Sequence, residues 1–198
     1  MPMTPAEKWD GLFTQGTAYK PLNILLARMM FDRAAEISGK RPVTALDLGC
    51  GTGGALATLK SVGLETVSGV DCSKVALAEA EKVVPGSELH LFDLNDLGLP
   101  VAGQTFDFIL CKFTAAFIKD KDSFLKEVSG LMDGSSVFVI MTPVLHEGIE
   151  YTKEDKPGIA VRYDEFRGQL ESVFGRVEEL HHDYNGERGD TVTFLVAK

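Results

Sequence analysis

The run Ala45-Leu46-Asp47-Leu48-Gly49-Cys50-Gly51-Thr52-Gly53-Gly54 constrains this chain more than any other segment. It is a short apolar stretch that carries one acid and ends in a glycine-rich turn. A helical pattern follows at once through Ala55, Leu56, Leu59 and Val62, and Gly63 stops it. A glycine turn between a parallel strand and a helix lets bare backbone approach a ligand, and the helix N-terminus there offers unpaired N–H groups. The segment therefore predicts an α/β fold with a nucleotide-type site at the turn.

The rest of the chain repeats the strand–helix alternation. Strands are predicted at Val43 to Leu48, Thr66 to Val70, Leu89 to Phe92, Phe106 to Cys111 and Val137 to Met141. Helices are predicted from about Gly53 to Val62, after Ser73 (Val75, Leu77, Ala80, Val84), from Lys121 to Met132, and around Phe166, Leu170, Val173 and Phe174. Ahead of them, Met1 to Lys20 reads as an arm bearing Trp9, Phe13 and Tyr19. Pro21 then opens a helix along Leu22, Leu26, Met29, Met30 and Ile37, ended by Gly39. Pro143 to Val161 has little periodicity. The chain closes with strand candidates Arg176 to Leu180 and Thr191 to Ala197, separated by the turn chemistry of Asn185-Gly186-Glu187-Arg188-Gly189, which implies an antiparallel pair. Such alternation gives a doubly wound, mostly parallel sheet covered on both faces, with the strand C-terminal ends along one edge. Ligands bind on that edge, where strand order reverses.

Three acids sit at or near strand ends there. Asp71 follows the glycine turn by about 20 residues and suits both hydroxyls of a ribose. Asp93, after the third strand, suits an adenine amino group, although either acid could instead cap a turn or helix. Gly49, Gly51 and Gly54 also fit G-x-G-x-x-G, so a dinucleotide is the competing ligand. Asp47 counts against it: a carboxylate two residues before the first glycine suits a ligand with an ammonium or sulfonium group better than a pyrophosphate.

With these residues in place, the segment from Leu46 to Gly53 resembles the first motif of class I S-adenosylmethionine-dependent methyltransferases. Val70-Asp71 resembles their second-strand acid, Phe92-Asp93-Leu94 their adenine-contacting segment, and Phe106-Asp107-Phe108-Ile109 their fourth-strand motif. The resemblance spans about Val43 to Met141. It implies a Rossmann-like sheet of seven strands, the last one antiparallel and inserted between the fifth and sixth. It also implies roles. Gly49, Cys50 and Gly51 lie along the methionine part of S-adenosylmethionine, and Asp47 faces its amino end. Asp71 holds the ribose, with Cys72 beside the adenine. Asp93 meets the adenine amino group, with Leu94 against the ring. Cys111, Lys112 and Phe113 lie under the sulfonium and face the substrate, and Asp107 is structural. Residues 1–42 would form a lid through Trp9, Phe13 and Tyr19, with residues 43–198 as the methyltransferase domain and Pro143 to Arg162 completing the lid.

Methyl transfer from a sulfonium needs alignment and exclusion of water more than a dedicated base. His146, just past the fifth strand, is the candidate base if one is used. Cys111-Lys112-Phe113-Thr114 lacks the acid-or-Asn, Pro-Pro, aromatic pattern of adenine and glutamine methyltransferases, and the strand ends lack acids for magnesium, so no metal is expected. His181-His182-Asp183 reads as edge residues, because adjacent strand residues face opposite ways. Cys50, Cys72 and Cys111 all fall near strand ends, which raises a metalloid-binding thiol cluster against the simpler reading of buried gap-fillers. With 198 residues and a net charge of -9, the chain suits one domain and disfavours nucleic acid or anionic membrane as partner. The three cysteines do not form a disulfide framework, and a cytoplasmic protein is expected. The expected activity is methylation of a small molecule, at oxygen, nitrogen, sulfur or carbon. The alternatives are an NAD(P)-dependent oxidoreductase and a non-catalytic S-adenosylmethionine-binding protein.

Overall fold

The computed structural model describes residues 3–17, 21–152, 157–182 and 190–198. In chain order its elements are α1 (Pro5–Thr14), α2 (Ile24–Ser38), β1 (Thr44–Leu48), α3 (Gly54–Val62), β2 (Thr66–Asp71), α4 (Lys74–Val83), β3 (Glu88–Leu91) and β4 (Phe108–Lys112). They continue with α5 (Lys121–Gly130), β5 (Val137–Leu145), β6 (Val161–Arg162), α6 (Tyr163–Val173), β7 (Arg176–His182) and β8 (Thr191–Ala197). The strands pair in the order β3-β2-β1-β4-β5-β8-β7, with β8 antiparallel to both neighbours and the other pairs parallel. The chain steps outward from β1 in both directions, so order reverses between β1 and β4, and their C-terminal ends open a crevice there.

Period-2 alternation feeds two cores. Leu46, Leu48, Ile109, Cys111, Phe138 and Ile140 pack under α5 and α6. Ala45, Phe108, Leu110, Val137, Val139 and Met141 pack under α2 and α3. Two expectations shift. The sheet has an eighth strand, because β5 runs on to Leu145 and its last two residues pair with Val161 and Arg162. Pro21 does not open α2. Asn23 does, its Oδ1 accepting from the N–H groups of Leu25 (2.9 Å) and Leu26 (3.2 Å). The helix buries Ala27, Met30, Phe31 and Ala34 while Met29 stays exposed, so its contact stripe is rotated by about one position from the expected one.

The N-terminal arm is helical. Thr4-Pro5-Ala6-Glu7 forms a capping box: the Glu7 N–H donates to Thr4 Oγ1 (3.2 Å), and the Thr4 N–H donates to Glu7 Oε2 (2.8 Å). The resulting α1 buries no residue completely. It docks on α4 through Asp10, whose Oδ1 accepts from Ser73 Oγ (2.6 Å) and the Val75 N–H (3.2 Å). Asp107 stands at the opposite edge of the sheet from the crevice. It accepts from the N–H groups of Val43 and Thr44 and pairs with Lys40, and these contacts hold its carboxyl below the usual carboxylate range against the opposing effect of burial. Among the described residues no helix is long and apolar enough to cross a membrane.

Candidate functional site

A cavity of about 830 Å³ occupies the crevice at the strand C-termini. Its floor is the turn after β1. Gly49 sits at φ 86°, and its N–H and that of Cys50 both donate to the Val70 carbonyl, at 2.8 and 3.0 Å. A Cβ on Gly49 would lie 2.2 Å from Thr114 Oγ1, so glycine is required there by both backbone and space. Gly51, also at positive φ, donates its N–H to Asp71 Oδ2 (2.8 Å). The Ser73 N–H donates to the other oxygen of Asp71 at 2.9 Å. Asp71 thus ties the glycine turn to the start of α4, yet each oxygen keeps a lone pair for a ligand.

Asp47 lies beneath this turn, buried to 2 % exposure, and its Oδ1 has no hydrogen-bond partner among the described residues. Burial raises its pKa to about 7; the nearby Lys112 charge opposes the rise and Asp71 adds to it. Lys112, half-buried at the end of β4, is pushed down by the same burial and held up by Asp47. Burial also raises Asp71, against the hydrogen bonds from the Ser73 and Gly51 N–H groups. Asp93 lines the cavity while its Oδ1 accepts from the backbone and side-chain nitrogens of Asn95, both at 3.0 Å. Its turn-capping and ligand-facing readings are therefore compatible. Cys50, Cys72, Leu94 and Phe113 also line the cavity. Burial pushes the Cys72 thiol up to about 12.

The roof comes from α1. Trp9 and Phe13 line the cavity, with Trp9 edge-on to Phe117 at 5.2 Å and 6.2 Å from Phe13. Tyr19 lies outside the described residues, as does Asp183. The far wall is Pro143, Val144 and Leu145 of β5, with Tyr151, Ile159, Ala160 and Thr191.

Two expected placements differ, those of Cys111 and His146. Cys111 does not reach the cavity: strand alternation turns it into the core under α5 and α6, where it is fully buried. Cys50 packs on the opposite face of the sheet, so the cysteines form no cluster. His146 is not a lining residue either. Its Nε2 is 3.2 Å from Asp190 Oδ2 and its ring rests against Tyr163 at 5.0 Å, which turns the imidazole away from the cavity. The backbone N–H of His146 instead donates to the Tyr151 hydroxyl (2.9 Å), and Tyr151 does line the cavity. His181 is an edge residue between Asp190 and Glu179, whose carboxylates raise its pKa. Among the described residues, no three His, Cys, Asp or Glu side chains are placed to hold a metal ion. Thr114, Phe117 and Tyr151 went unnoticed in the sequence. Only the apolar continuation Val144-Leu145 of the fifth strand signals that wall.

Residues 46–140 match the family described as "Methyltransferase domain". The chain is 30% identical over 131 residues to norajmaline N-methyltransferase of Rauvolfia serpentina, covering 59% of this chain and 43% of that one. It is 36% identical over 89 residues to demethylmenaquinone methyltransferase of Bacillus licheniformis, covering 43% and 38%. It thus spans less than half the length of either curated relative. The plantazolicin methyltransferase BpumL, solved with a pentazolic desmethylPZN analog and SAH, superposes with a TM-score of 0.71 at 15% identity, over 96% of this chain and 90% of that one. The strand order and the superposition show the fold these methyltransferases share, and residues 46–140 are similar to a methyltransferase domain.

Proposed function

We propose that this protein transfers a methyl group from S-adenosylmethionine to a small organic acceptor. The observation that carries the reading is Asp47: a buried carboxylate with a partnerless oxygen on a cavity wall suits an ammonium group. The ligand supplies an activated methyl on a sulfonium that leaves without protonation. The chain's own residues bind, align and exclude water. Gly49, Cys50 and Gly51 present backbone to the methionine part, and Asp47 accepts from its ammonium. Asp71 uses its remaining lone pairs for the ribose hydroxyls. Cys72 and Leu94 flank the adenine, and the second oxygen of Asp93 accepts from its amino group. Phe113 and Lys112 stand at the reaction end. Residues 1–42 act as a lid over residues 43–198, with Trp9 and Phe13 closing on Phe117 and the glycine turn. The activities named for the two relatives, norajmaline N-methyltransferase and demethylmenaquinone methyltransferase, support a small-molecule acceptor. A cytoplasmic setting belongs to the same proposal and rests on the low, odd cysteine count.

Calorimetric titration tests the donor. S-adenosylmethionine and S-adenosylhomocysteine are expected to bind at micromolar level, about -8 kcal/mol, with no heat from NAD. Asp71→Ala is expected to abolish that binding, and binding of NAD alone would overturn the reading. Limited proteolysis tests the lid: S-adenosylhomocysteine should slow cleavage in residues 1–20 and 146–160. Equal cleavage rates with and without it would exclude a ligand-coupled lid.

A further inference from the structure

The cavity has two ends of unlike chemistry. The end at the glycine turn holds its acids, Asp47, Asp71 and Asp93. The other end begins where β4 stops. There the Phe113 N–H donates to the Met141 carbonyl (2.7 Å), and β5 continues to Leu145. The extension supplies Val144 and Leu145, and the segment that leads into β6 supplies Ile159 and Ala160. The short 3-10 turn Pro157–Ile159 lies against a second one, Ala115–Phe117, so Phe117 closes this end. None of these wall residues is charged. Lys8 stands over the Trp9 and Phe117 rings, 5.6 Å from each centroid, but it and Lys119 are exposed and keep their water. A charged acceptor in this chamber would lose its hydration and meet no opposite charge on the wall.

The polar side chains on the wall are Tyr151 and Thr191. Tyr151 has a defined polarity. Its oxygen accepts from the His146 N–H (2.9 Å), which leaves its own hydrogen to donate. His146 is itself pinned. Its Nε2 lies 3.2 Å from Asp190 Oδ2, and the Asp190 carbonyl accepts from the Val144 N–H (3.0 Å). The hydroxyl is thus set in place before any ligand arrives, a hydrogen-bond donor in an otherwise apolar chamber. We propose that the acceptor is an uncharged, mainly apolar molecule with a lone-pair oxygen or nitrogen, and that Tyr151 is a specificity-determining residue whose hydroxyl donates to that atom. This rests on the methyl-donor reading above.

The test uses protein saturated with S-adenosylhomocysteine and four naphthalene probes of one shape, titrated by calorimetry at pH 7. They are 2-acetylnaphthalene, its hydrocarbon isostere 2-isopropenylnaphthalene, the anion 2-naphthoate and the cation 2-naphthylmethylammonium. Wild type is expected to bind the ketone at least tenfold more tightly than either ion. Tyr151→Phe should weaken the ketone about fivefold and leave the hydrocarbon unchanged. Tyr151→Leu gives the same contrast between ketone and hydrocarbon should Tyr151→Phe fold poorly by melting curve. A wild type that binds either ion as tightly as the ketone overturns the inference, as does a Tyr151→Phe that weakens ketone and hydrocarbon alike or neither. Binding of S-adenosylhomocysteine with no binding of any probe also overturns it and leaves the donor reading standing. A wild type that does not bind S-adenosylhomocysteine overturns both.

Discussion

Gly49→Ala is expected to lower stability by about 3 kcal/mol and to remove binding of S-adenosylhomocysteine. Two costs combine. At φ 86° a Cβ meets its own carbonyl region, worth about 1–2 kcal/mol. The same Cβ would stand 2.2 Å from Thr114 Oγ1, 2.7 Å from its Cγ2 and 2.9 Å from its Cβ, an overpacking cost of about 1–3 kcal/mol. Relief requires the turn or the segment after β4 to move, and both carry cavity residues. The variant Gly49→Ala with Thr114→Gly separates the two costs, because it removes the clash and leaves the backbone conformation strained. Partial recovery of the melting temperature without recovery of binding is the expected pattern. An unaltered melting temperature for Gly49→Ala alone would contradict the close packing of Thr114 on the turn.

Asp47→Asn is expected to act in opposite directions on stability and binding. Burial holds the Asp47 carboxyl at about 7 in the folded chain against 3.8 for an ordinary one. Between those values the folded state keeps a proton that the unfolded state has released. Stability therefore falls as pH rises through that window, and the penalty is fully present above it. A shift of about three units sets a ceiling of roughly 4 kcal/mol, and a buried amide takes back part of it. A gain on the order of 2 kcal/mol at pH 8, about 4–8 °C in melting temperature for a chain of this size, is expected for Asp47→Asn. Near pH 4 the difference should vanish. The ammonium of the proposed donor would favour the ionised carboxylate, so wild-type affinity should weaken up to tenfold per unit as pH falls below about 7, with proton release on binding. In Asp47→Asn the affinity should be low and flat with pH. Melting curves and titrations from pH 5 to 8 check both halves. A variant less stable than wild type at pH 8 would mean that Asp47 is satisfied inside the fold and not reserved for a ligand.

Much of the candidate site is legible in the sequence, for a local reason. The glycine turn, Asp47, Asp71 and Asp93 are each defined by their offset from a strand end, and strand ends show in the apolar pattern. The capping box at Thr4-Pro5-Ala6-Glu7 was missed, because aromatics among polar residues read as an arm. What failed were statements about direction and distance. Cys111 and Lys112 are neighbours in the chain, and pairing with β1 and β5 decides that the thiol enters the core while the amine reaches the cavity. His146 follows the fifth strand as expected. Its imidazole is claimed by Asp190, 44 residues on, because β8 inserts beside β5 and brings Asp190 against Val144.

By itself, then, the sequence determined the layered α/β architecture, the edge that carries the cavity and the acids that line it, since periodicity and turn chemistry are short-range properties of the chain. Only the tertiary structure decided which side chains share the cavity. It put Thr114 on Gly49, Tyr151 in the place expected for His146, and Lys112 beside Asp47, because each of those contacts depends on strand pairings between distant segments.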